Sequence, residues 1–513
     1  MHILETDRLV IDTKGLPASL VGDLKYEFEH KNPVHYRLKA QRLWPPKTEP
    51  PVIVNWREDD TRLSLPRGGL ARVVEIFRRY KLYPAVVPNL TIGEQVDFPP
   101  PRVTPYEYQQ RCIEAAIEKK IGIVKAPTGG GKTVLGVALI AQVGAPFLIV
   151  IHSVALLNQW KERIAAVFGD DYETGLIQGK SFYLKPVTLA MAQTLHKISD
   201  GKWGKVNSYF GGVIQDEVQM AAASTFLQSL DRCEAEYRIG LSADHTRKDR
   251  KEFLIHDTFG GVIAEISRTD LVSKSFVLDP HVVLKPTQFD AEWFLQQRYA
   301  NELRNTGLDF DRVFLGMKAR WPDMKMSEVP KGQPDYSRLI DEMCADPSRN
   351  AKIVSLTERM VHDGRRVFVF CHRVDHCDSI IRDLRGLGLK AGALIGGPEN
   401  KKEFEQTIDG LQNGDLDVGV GTWQALGTGI DCPRVSGGIM ATPISGKQIW
   451  GQIRGRLCRT YPGKSDAVLY YLWDRRVFSD SPVKNMNKWN TRCSIEVAVG
   501  DLESAKAYLR RNQ

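Results

Sequence analysis

Short apolar runs alternate with amphipathic stretches in two blocks of this chain. In residues 104–265 the runs predict the strands Gly122–Lys125, Phe147–His152, Val187–Ala190, Gly212–Gln215 and Tyr237–Leu241. In residues 345–475 they predict Arg366–Phe370, Ala391–Ile395, Val418–Gly421, Gly438–Ala441 and Ala467–Leu472. Apolar strands joined by helices are typical of parallel sheets that are covered on both faces. The chain is therefore predicted to be α/β, with two parallel-sheet domains in tandem.

The first ninety or so residues have a different pattern, which predicts a small α+β domain. Strands are expected at Arg8–Thr13, Val34–Trp44 and Val52–Trp56, and helices at Leu16–His30 and Leu70–Tyr80. Basic and aromatic residues are interspersed in this domain. The basic ones are Arg37, Lys39, Arg42, Arg72, Arg78, Arg79 and Lys81, and the aromatic ones are Tyr36, Trp44, Phe77 and Tyr80. Such a mixture suits phosphate contacts and base stacking, but a solvated face over an aromatic core is an equally good interpretation.

The domain boundaries follow from these patterns and from a proline-rich linker at 98–101. We expect an accessory domain at 1–95, the first sheet domain at 104–265, a connecting segment at 266–344, the second sheet domain at 345–478 and a C-terminal extension at 479–513. Residues 281–344 show no regular pattern and are predicted to be irregular.

The composition favours a basic protein of a reducing compartment over a secreted or membrane-spanning one. The chain has 513 residues and a formal net charge of +8, so its surface favours polyanions. Its eight cysteines form no C-x-x-C pair, which is typical of a reducing compartment. The N-terminus has no signal-peptide pattern, and no apolar run reaches membrane-spanning length. We expect a cytoplasmic protein.

A glycine turn follows the first predicted strand of the first block. Gly129, Gly130 and Gly131 precede Lys132 and Thr133, and an apolar helix follows. Backbone amides of such a turn surround an oligophosphate, while the lysine reaches the β- and γ-phosphates and the threonine binds Mg²⁺. Alanine stands at the first glycine position of the usual pattern, at Ala126. The turn by itself therefore also fits an ordinary connection between a strand and a helix.

Two carboxylates, Asp216 and Glu217, follow the fourth predicted strand. An acidic residue there is often only a helix N-cap. Parallel strands, however, present their carboxyl ends at one edge, where an open α/β sheet binds its ligand. Together with Lys132 and Thr133, the pair predicts a magnesium–nucleotide site in which Asp216 holds the metal and Glu217 polarises the attacking water.

The second block has no phosphate loop, but it has two arginines in a helical pattern. Arg456 and Arg459 are three residues apart and are expected to share one helical face. Arginines placed in this way neutralise charge on a transferring phosphoryl group. Without that context the stretch would be an ordinary basic helix face.

The order of these motifs resembles the superfamily 2 helicases over nearly the whole chain. The similar segments are Tyr108–Gln110, Ala126–Thr133, Ser153–Trp160, Met191–Leu195, Asp216–Gln219, Gly240–Asp244, Gly427–Asp431 and Gln452–Arg459. The resemblance implies two RecA-like domains and the cofactors ATP and Mg²⁺. It implies nucleotide contacts from Gln109, Thr128, the loop glycines, Gly429, Asp431 and Gln452, and a catalytic role for Gln219 beside Lys132, Glu217, Arg456 and Arg459. The DNA contacts implied are Gln159, Gln193, Thr194, His372, Thr422 and Trp423.

The N-terminal stretch resembles the UvsW group of phage recombination helicases at Trp44–Trp56, at Leu63–Leu70 before a helix, and at Tyr83–Ala85. The core is also similar to the XPB group. This resemblance implies 3′ to 5′ unwinding and branch migration of forked, Holliday-type or R-loop DNA, by a protein that is monomeric on DNA. Three other functions stay open: a duplex translocase that does not separate strands, an RNA helicase, and a nucleotide-gated binding protein without motor activity.

Overall fold

The computed structural model describes residues 1–496 except 42, 128, 221–229, 244–248, 275, 398, 428–431, 445, 480, 490 and 492. The chain forms two compact units, Met1–Ser273 and Lys274–Gln513. Among the described residues, none of the helices has the length and apolar character needed to cross a membrane.

The first unit contains strands and helices in the following order. Its strands are β1 (His2–Glu5), β2 (Arg8–Asp12), β3 (Glu29–Lys31), β4 (Val52–Val54), β5 (Arg57–Asp59), β6 (Arg62–Pro66), β7 (Ala85–Pro88), β8 (Ile121–Lys125), β9 (Phe147–Ile151), β10 (Gly175–Gln178), β11 (Ser181–Tyr183), β12 (Val187–Met191), β13 (Gly212–Asp216), β14 (Tyr237–Ser242) and β15 (Val262–Glu265). Its helices are α1 (Ala18–Tyr26), α2 (Pro33–Ala40), α3 (Leu70–Arg79), α4 (Glu107–Lys119), α5 (Lys132–Val143), α6 (Val154–Phe168), α7 (Ala192–Leu195), α8 (Asp200–Tyr209), α9 (Glu252–Phe259) and α10 (Arg268–Ser273), with 3₁₀ turns at Arg67–Gly69 and Val218–Met220.

The N-terminal part of this unit is the predicted α+β domain. Its sheet has the order β5-β6-β2-β1-β7, and β3 pairs with β4 in a separate hairpin. Leu9, Ile11 and Phe77 are fully buried in its core. The prediction of an extended Val34–Trp44 is wrong, because Pro33–Ala40 is helical. Asn32 caps that helix by accepting from the Val34 amide, and Pro33 occupies the first helical turn, where its missing N–H costs nothing.

The first parallel sheet has the order β11-β10-β12-β9-β13-β14-β8-β15. Its strands run parallel except β11, which is antiparallel to β10. The strands predicted from the apolar runs all form, with ends that differ by about one residue. Strands β8, β9, β13 and β14 are neighbours, so the residues that follow them lie along one edge.

A buried aspartate joins the N-terminal domain to the helix after β14. Asp257 of α9 is fully buried and accepts hydrogen bonds from Asn55 Nδ2 (2.9 Å) and Arg72 (2.6 Å), and it pairs with His30 Nε2 (2.9 Å). Burial raises the pKa of Asp257, but the bonds to His30, Arg72 and Asn55 outweigh it and hold this pKa below its usual value. The N-terminal domain is thus fixed to the first sheet domain by a charge that has no access to water.

The second unit contains one parallel sheet of the order β18-β19-β17-β20-β21-β16-β22. Its strands are β16 (His281–Pro286), β17 (Arg366–Cys371), β18 (Ala391–Leu394), β19 (Val418–Thr422), β20 (Val435–Met440), β21 (Val468–Trp473) and β22 (Cys493–Ile495). Its helices are α11 (Glu292–Asn305), α12 (Phe310–Arg320), α13 (Tyr336–Ala345), α14 (Pro347–His362), α15 (Val374–Gly386), α16 (Lys401–Asn413), α17 (Trp423–Gly427), α18 (Lys447–Leu457), α19 (Arg475–Phe478) and α20 (Ser481–Lys488), with a 3₁₀ turn at Met326–Glu328.

The prediction that residues 281–344 are irregular is wrong. The segment contributes β16 to the sheet and forms helices α11, α12 and α13. Phe294, Leu339 and Met343 are fully buried in one small core, and Val313 and Met317 in another. These short helices bury only a few residues each, so their apolar spacing is hard to distinguish from that of a loop in the sequence.

Asp257→Ala should lower the free energy of unfolding of the first unit by about 3 kcal/mol, because it leaves buried donors without their acceptor. Since its pKa lies below the ordinary value, the Asp257 contribution should be complete above about pH 4 and be lost as the pH falls further. Hydrogen exchange of β1, β2 and β6 would measure the change. The exposed pair of Lys25 and Glu58 offers the control Glu58→Ala, expected to cost under about 1 kcal/mol. Equal effects of the two substitutions would contradict the anchoring role.

Candidate active site

The glycine turn is held open for a ligand by its backbone geometry. Gly129 and Gly131 have φ values of 88° and 73°, in the left-handed region that favours glycine. Gly131 immediately precedes α5, so the amides at the start of that helix point towards the turn. Thr128, predicted to contact nucleotide, lies outside the described residues.

Gln109 contacts the turn directly. It is buried, and its Nε2 lies 3.3 Å from the Gly130 carbonyl and 3.4 Å from that of Gly131, while its Oε1 accepts from the Tyr106 amide at 2.9 Å. A β carbon at Gly131 would collide with the same amide group. Gln109 therefore supports the shape of the phosphate turn, and its adenine contact stays a prediction.

Lys132 and Glu217 form the ion pair at the centre of the site. Lys132 Nζ lies 2.9 Å from Glu217 Oε1, and the two side chains are 11% and 17% exposed. Thr133, which follows Lys132 and is the second residue of α5, is partly buried. The structure thus brings together the phosphate loop and the acidic pair, which are separated by more than eighty residues in the sequence.

Asp216 is buried, with a partner for each carboxylate oxygen. Trp160 Nε1 donates to Oδ2 at 2.9 Å, and the Glu217 amide donates to Oδ1 at 2.9 Å. Burial, together with the charge of Glu217, raises the pKa of Asp216 to about 6, against the opposing effect of Lys132. An N-cap would instead accept from an amide two or three residues further on. The N-cap interpretation of this aspartate therefore does not describe its bonding.

Glu217 is held by a chain of hydrogen bonds that ends on β14. Gln219 Nε2 donates to Glu217 Oε2, and the Ser242 hydroxyl donates to Gln219 Oε1. Burial raises the pKa of Glu217, but Lys132 and Gln219 outweigh it and hold this pKa below its usual value. Glu217 also has a φ of 51°, which is uncommon for a residue other than glycine and typical of functional sites. Gln219 thus fixes the orientation of Glu217, which is a positioning role.

His152 and Trp160 are site residues that the sequence patterns did not single out for this chemistry. His152 follows β9 at the same sheet edge, and the charge of Glu217 acts on it. Burial nevertheless holds the pKa of His152 below its usual value. The available signal for His152 was its position after a buried strand. Trp160 is the last residue of a helicase-like segment, but nothing in the sequence indicated its bond to Asp216, which lies 56 residues away.

The DNA-contact candidates of the first unit lie near this edge. Gln193 is exposed, and its Nε2 donates to the His152 carbonyl at 3.1 Å. Thr194 Oγ1 accepts from the Gly179 amide at 3.0 Å. Gln159 lies on α6 and is partly buried. Their DNA contacts stay predictions.

The DNA-contact candidates of the second unit are His372, Thr422 and Trp423. His372 and Trp423 are in edge-to-face contact, with ring centroids 5.8 Å apart. Thr422 Oγ1 accepts from the Ala425 amide at 3.3 Å, at the start of α17. Because β17 and β19 are paired in register at Cys371 and Thr422, the three candidates meet at one sheet edge.

Gln452 and Arg456 lie on α18, but the expectation that Arg456 and Arg459 share a helical face is wrong. The helix ends at Leu457, so Arg459 lies beyond it. The Cys458 carbonyl accepts from the Leu278 amide at 2.7 Å, a bond to a distant segment in place of the next helical turn. Gly429 and Asp431 lie outside the described residues.

Arg454, between these candidates, has a structural role. Its Nε donates to Asp279 Oδ1 at 3.1 Å, and another of its nitrogens donates to Thr491 Oγ1 at 3.1 Å. It is almost fully buried. Arg454 therefore ties α18 to the segments before β16 and before β22.

Two family profiles match this chain. Residues 102–247 match the family described as type III restriction enzyme, res subunit, and residues 349–461 match the helicase conserved C-terminal domain. The two matches contain the glycine turn, the acidic pair and the arginine stretch.

Several curated proteins are similar to it. "Probable helicase D10" of Escherichia phage T5 is 24% identical over 73% of this chain and 72% of its own length. "DNA 3'-5' helicase XPB" of Mycobacterium tuberculosis is 26% identical over 36% of this chain, which spans 35% of that protein. "Putative DNA 3'-5' helicase Rad25" of Halobacterium salinarum is 30% identical over 77% of this chain, which spans 58% of it.

Solved structures support the fold. A fragment of a putative HsdR subunit of a type I restriction enzyme from Vibrio vulnificus aligns with a TM-score of 0.52 and 18% identity, over 78% of this chain and 69% of that one. T4 UvsW aligns over 97% of this chain and 99% of its own, with 14% identity. Its TM-score of 0.40 is too low to carry an argument.

The Trp160 indole proton should report the ionisation of Asp216. Its NMR resonance is expected to shift with an apparent pKa of about 6, because the carboxylate that it contacts becomes charged as the pH rises through that value. Trp160→Phe would assign the signal, and Trp203, which stacks against Arg232, serves as the comparison. A midpoint near 4 would show that burial does not raise this pKa.

Proposed function

This chain belongs to the superfamily 2 DNA helicases, resembling their UvsW and XPB members, and we propose that it uses ATP to unwind and branch-migrate forked, four-way or R-loop DNA. The observation that carries the proposal is the chain of contacts from Lys132 through Glu217 and Gln219 to Ser242. It joins the phosphate turn, the acidic pair and the end of β14, as expected of a nucleotide-driven motor. The relatives named as DNA 3'-5' helicases favour movement in that direction.

The site has groups suited to ATP hydrolysis. The turn amides and Lys132 would bind the β- and γ-phosphates. The lowered pKa of Glu217 keeps it ionised at neutral pH, which is the state needed to accept a proton from the attacking water. Gln219 holds the second oxygen of Glu217, so the first oxygen remains directed towards Lys132 and the turn.

The oxygen donors also fit Mg²⁺. Asp216 and Thr133 would hold it, because a hard cation is bound by carboxylate and hydroxyl oxygens, and a carboxyl whose pKa is about 6 is mostly ionised at neutral pH. The ion would supply positive charge against the phosphate oxygens. Trp160 fixes the orientation of the Asp216 carboxylate.

The second unit would contribute the arginines. We propose that Arg456 and Arg459 neutralise charge on the transferring phosphoryl group, while Gln452, Gly429 and Asp431 contact the nucleotide. Binding to DNA would be mostly through phosphates, so movement would be independent of sequence and sensitive to salt. We further propose that the protein acts in the cytoplasm, that of the host if a phage encodes it, and is monomeric on DNA.

A duplex translocase is the second candidate. The segment Asp216–Gln219 stands where superfamily 2 helicases have their DEAD or DEAH box, and Gln219 occupies its fourth position. A glutamine there resembles the DEAQ variant of some duplex translocases, which favours this candidate. Triplex displacement without strand separation on a fork would establish it.

Stronger stimulation of ATP hydrolysis by RNA than by DNA would establish an RNA helicase, and the absence of stimulation would indicate a nucleotide-gated binding protein.

The wild-type chain should unwind forked, four-way and R-loop substrates with ATP and leave linear duplex largely intact. Lys132→Ala should abolish ATP hydrolysis and unwinding, because it removes both the phosphate contact and the ion pair with Glu217. The variant should still bind the same DNA, because neither interaction involves DNA. Phosphate release measures ATP hydrolysis, strand displacement measures unwinding, and nitrocellulose-filter binding measures DNA affinity. Lys119→Ala, at an exposed ion pair, is the matched control and should behave like wild type. Normal turnover in Lys132→Ala would contradict the assignment.

Arg456→Ala should bind ATP with near wild-type affinity but hydrolyse it about 10³-fold more slowly, as for loss of an arginine that stabilises the transition state. Equilibrium binding of a fluorescent ATP analogue and steady-state kcat measure the two effects. Arg454→Ala is the contrasting variant, and it should lower thermal stability because its bonds to Asp279 and Thr491 are lost. Unchanged kcat in Arg456→Ala would show that this arginine is structural.

A further inference from the structure

The most exposed large apolar side chain among the described residues is that of Trp44, in the turn after α2. It is 93% exposed, with Leu43 at 54% and Tyr36 at 47% nearby in sequence. A group of exposed apolar and aromatic side chains is a candidate binding surface. We call the exposed side chains of this segment the Trp44 surface; they are Tyr36, Arg37, Lys39, Leu43, Trp44 and Lys47.

The Trp44 surface is positively charged. The segment 33–47 contains no acidic residue, and Arg37, Lys39 and Lys47 are exposed. The next acid along the chain, Glu49, already binds Asn32 Nδ2 at 2.8 Å and Lys251 Nζ at 2.7 Å. The charge of this surface therefore complements a polyanion, and its aromatic rings complement flat apolar faces.

Backbone hydrogen bonds lie on both sides of Trp44. The Leu43 amide donates to the Leu38 carbonyl at 2.9 Å, and the Glu49 amide donates to the Pro46 carbonyl at 2.9 Å. Pro45 and Pro46 follow Trp44 and restrict its backbone to extended conformations. The backbone of Trp44 is thus restricted before a partner binds, which lowers the entropic cost of binding.

Other members of the basic and aromatic set have partners within the protein. Arg72 binds Asp257 and Glu27, Phe77 is fully buried, and the Tyr80 hydroxyl donates to Asp23. Arg78, Arg79 and Lys81 are exposed as well, but the exposed aromatic residues of the set, Tyr36 and Trp44, both lie on α2 and the segment after it.

We propose that the Trp44 surface binds an unpaired base beside a DNA duplex, with Trp44 stacked on the base and Arg37, Lys39 and Lys47 on the flanking phosphates. In a continuous duplex both faces of each base are covered by neighbours, so an aromatic ring meets a free face only at an end, a branch or a single strand. The surface thus recognises the branch point. This proposal rests on the DNA substrate proposed above and assigns the recognition of its branch to the N-terminal domain.

The test uses a forked DNA with 2-aminopurine as the first unpaired base, bound by the full chain without ATP. Wild type should quench the aminopurine fluorescence on binding, Trp44→Ala should not, and Trp44→Phe should retain most of the quenching. Trp44→Ala should bind the fork at least about 5-fold more weakly, the lower end of the effect of losing one stacked base. The affinity of Trp44→Ala for a blunt, fully paired duplex of the same length should differ from that of wild type by less than about 2-fold, at the same salt concentration.

Tyr26→Ala is the matched control. Tyr26 is an aromatic residue with 77% exposure, but Asp23, Glu27 and Glu29 surround it in sequence, so it should not contact DNA. Thermal unfolding midpoints of all variants should agree with wild type, since both rings are outside the core. Equal fork affinity and equal quenching in Trp44→Ala and wild type would overturn the proposal, as would an equal loss of affinity for fork and duplex.

These outcomes are separate from those of the proposed function. The binding test needs no ATP hydrolysis. A chain without DNA-stimulated ATPase activity would therefore refute the proposed motor, while the quenching assay would still test the contact between Trp44 and the base. Normal unwinding by wild type, with unchanged quenching and unwinding in Trp44→Ala, would refute the branch contact alone.

Discussion

The ion pair of Lys132 and Glu217 is the interaction on which the rest of the site depends. It joins the helix after β8 to the turn after β13, and these strands lie on either side of β14 in the sheet. Parallel strands bring their carboxyl ends to one edge, so residues from distant parts of the chain meet there. The low exposure of the pair strengthens its charge interaction. Lys132 and Gln219 together outweigh the effect of burial on the pKa of Glu217 and keep this side chain ionised.

The surroundings of this pair give the two adjacent carboxylates different properties. Asp216 contacts an indole and one amide, and its pKa is raised to about 6. Glu217 contacts an ammonium group and an amide side chain, and its pKa is lowered. Two carboxyl groups with separated pKa values can take different roles, one as a metal ligand and the other as a base.

The N-terminal domain depends on a second buried charge. Asp257 is on the helix that follows the end of β14 and accepts bonds from three parts of the N-terminal domain. Arg8 adds a buried pair with Asp231, and Arg67 donates to the carbonyl groups of Ala235 and Glu236. Because each contact comes from a different segment, the domain cannot turn freely on the first sheet domain. The exposed turn at Trp44 therefore has a defined position within the first unit.

The sequence by itself determined the ten strands predicted in the two blocks, the glycine turn and the acidic pair, because those features depend on short-range periodicity and local turn chemistry. It did not indicate β10, β11 or β15 of the first sheet. Tertiary structure alone decided the partners: Trp160 for Asp216, Ser242 for Gln219, and the glycine turn for Gln109. It also brought β16 and β22 into the second sheet and ended α18 before Arg459. These outcomes depend on contacts between residues far apart in the chain, and periodicity contains no information about which distant segments will be neighbours.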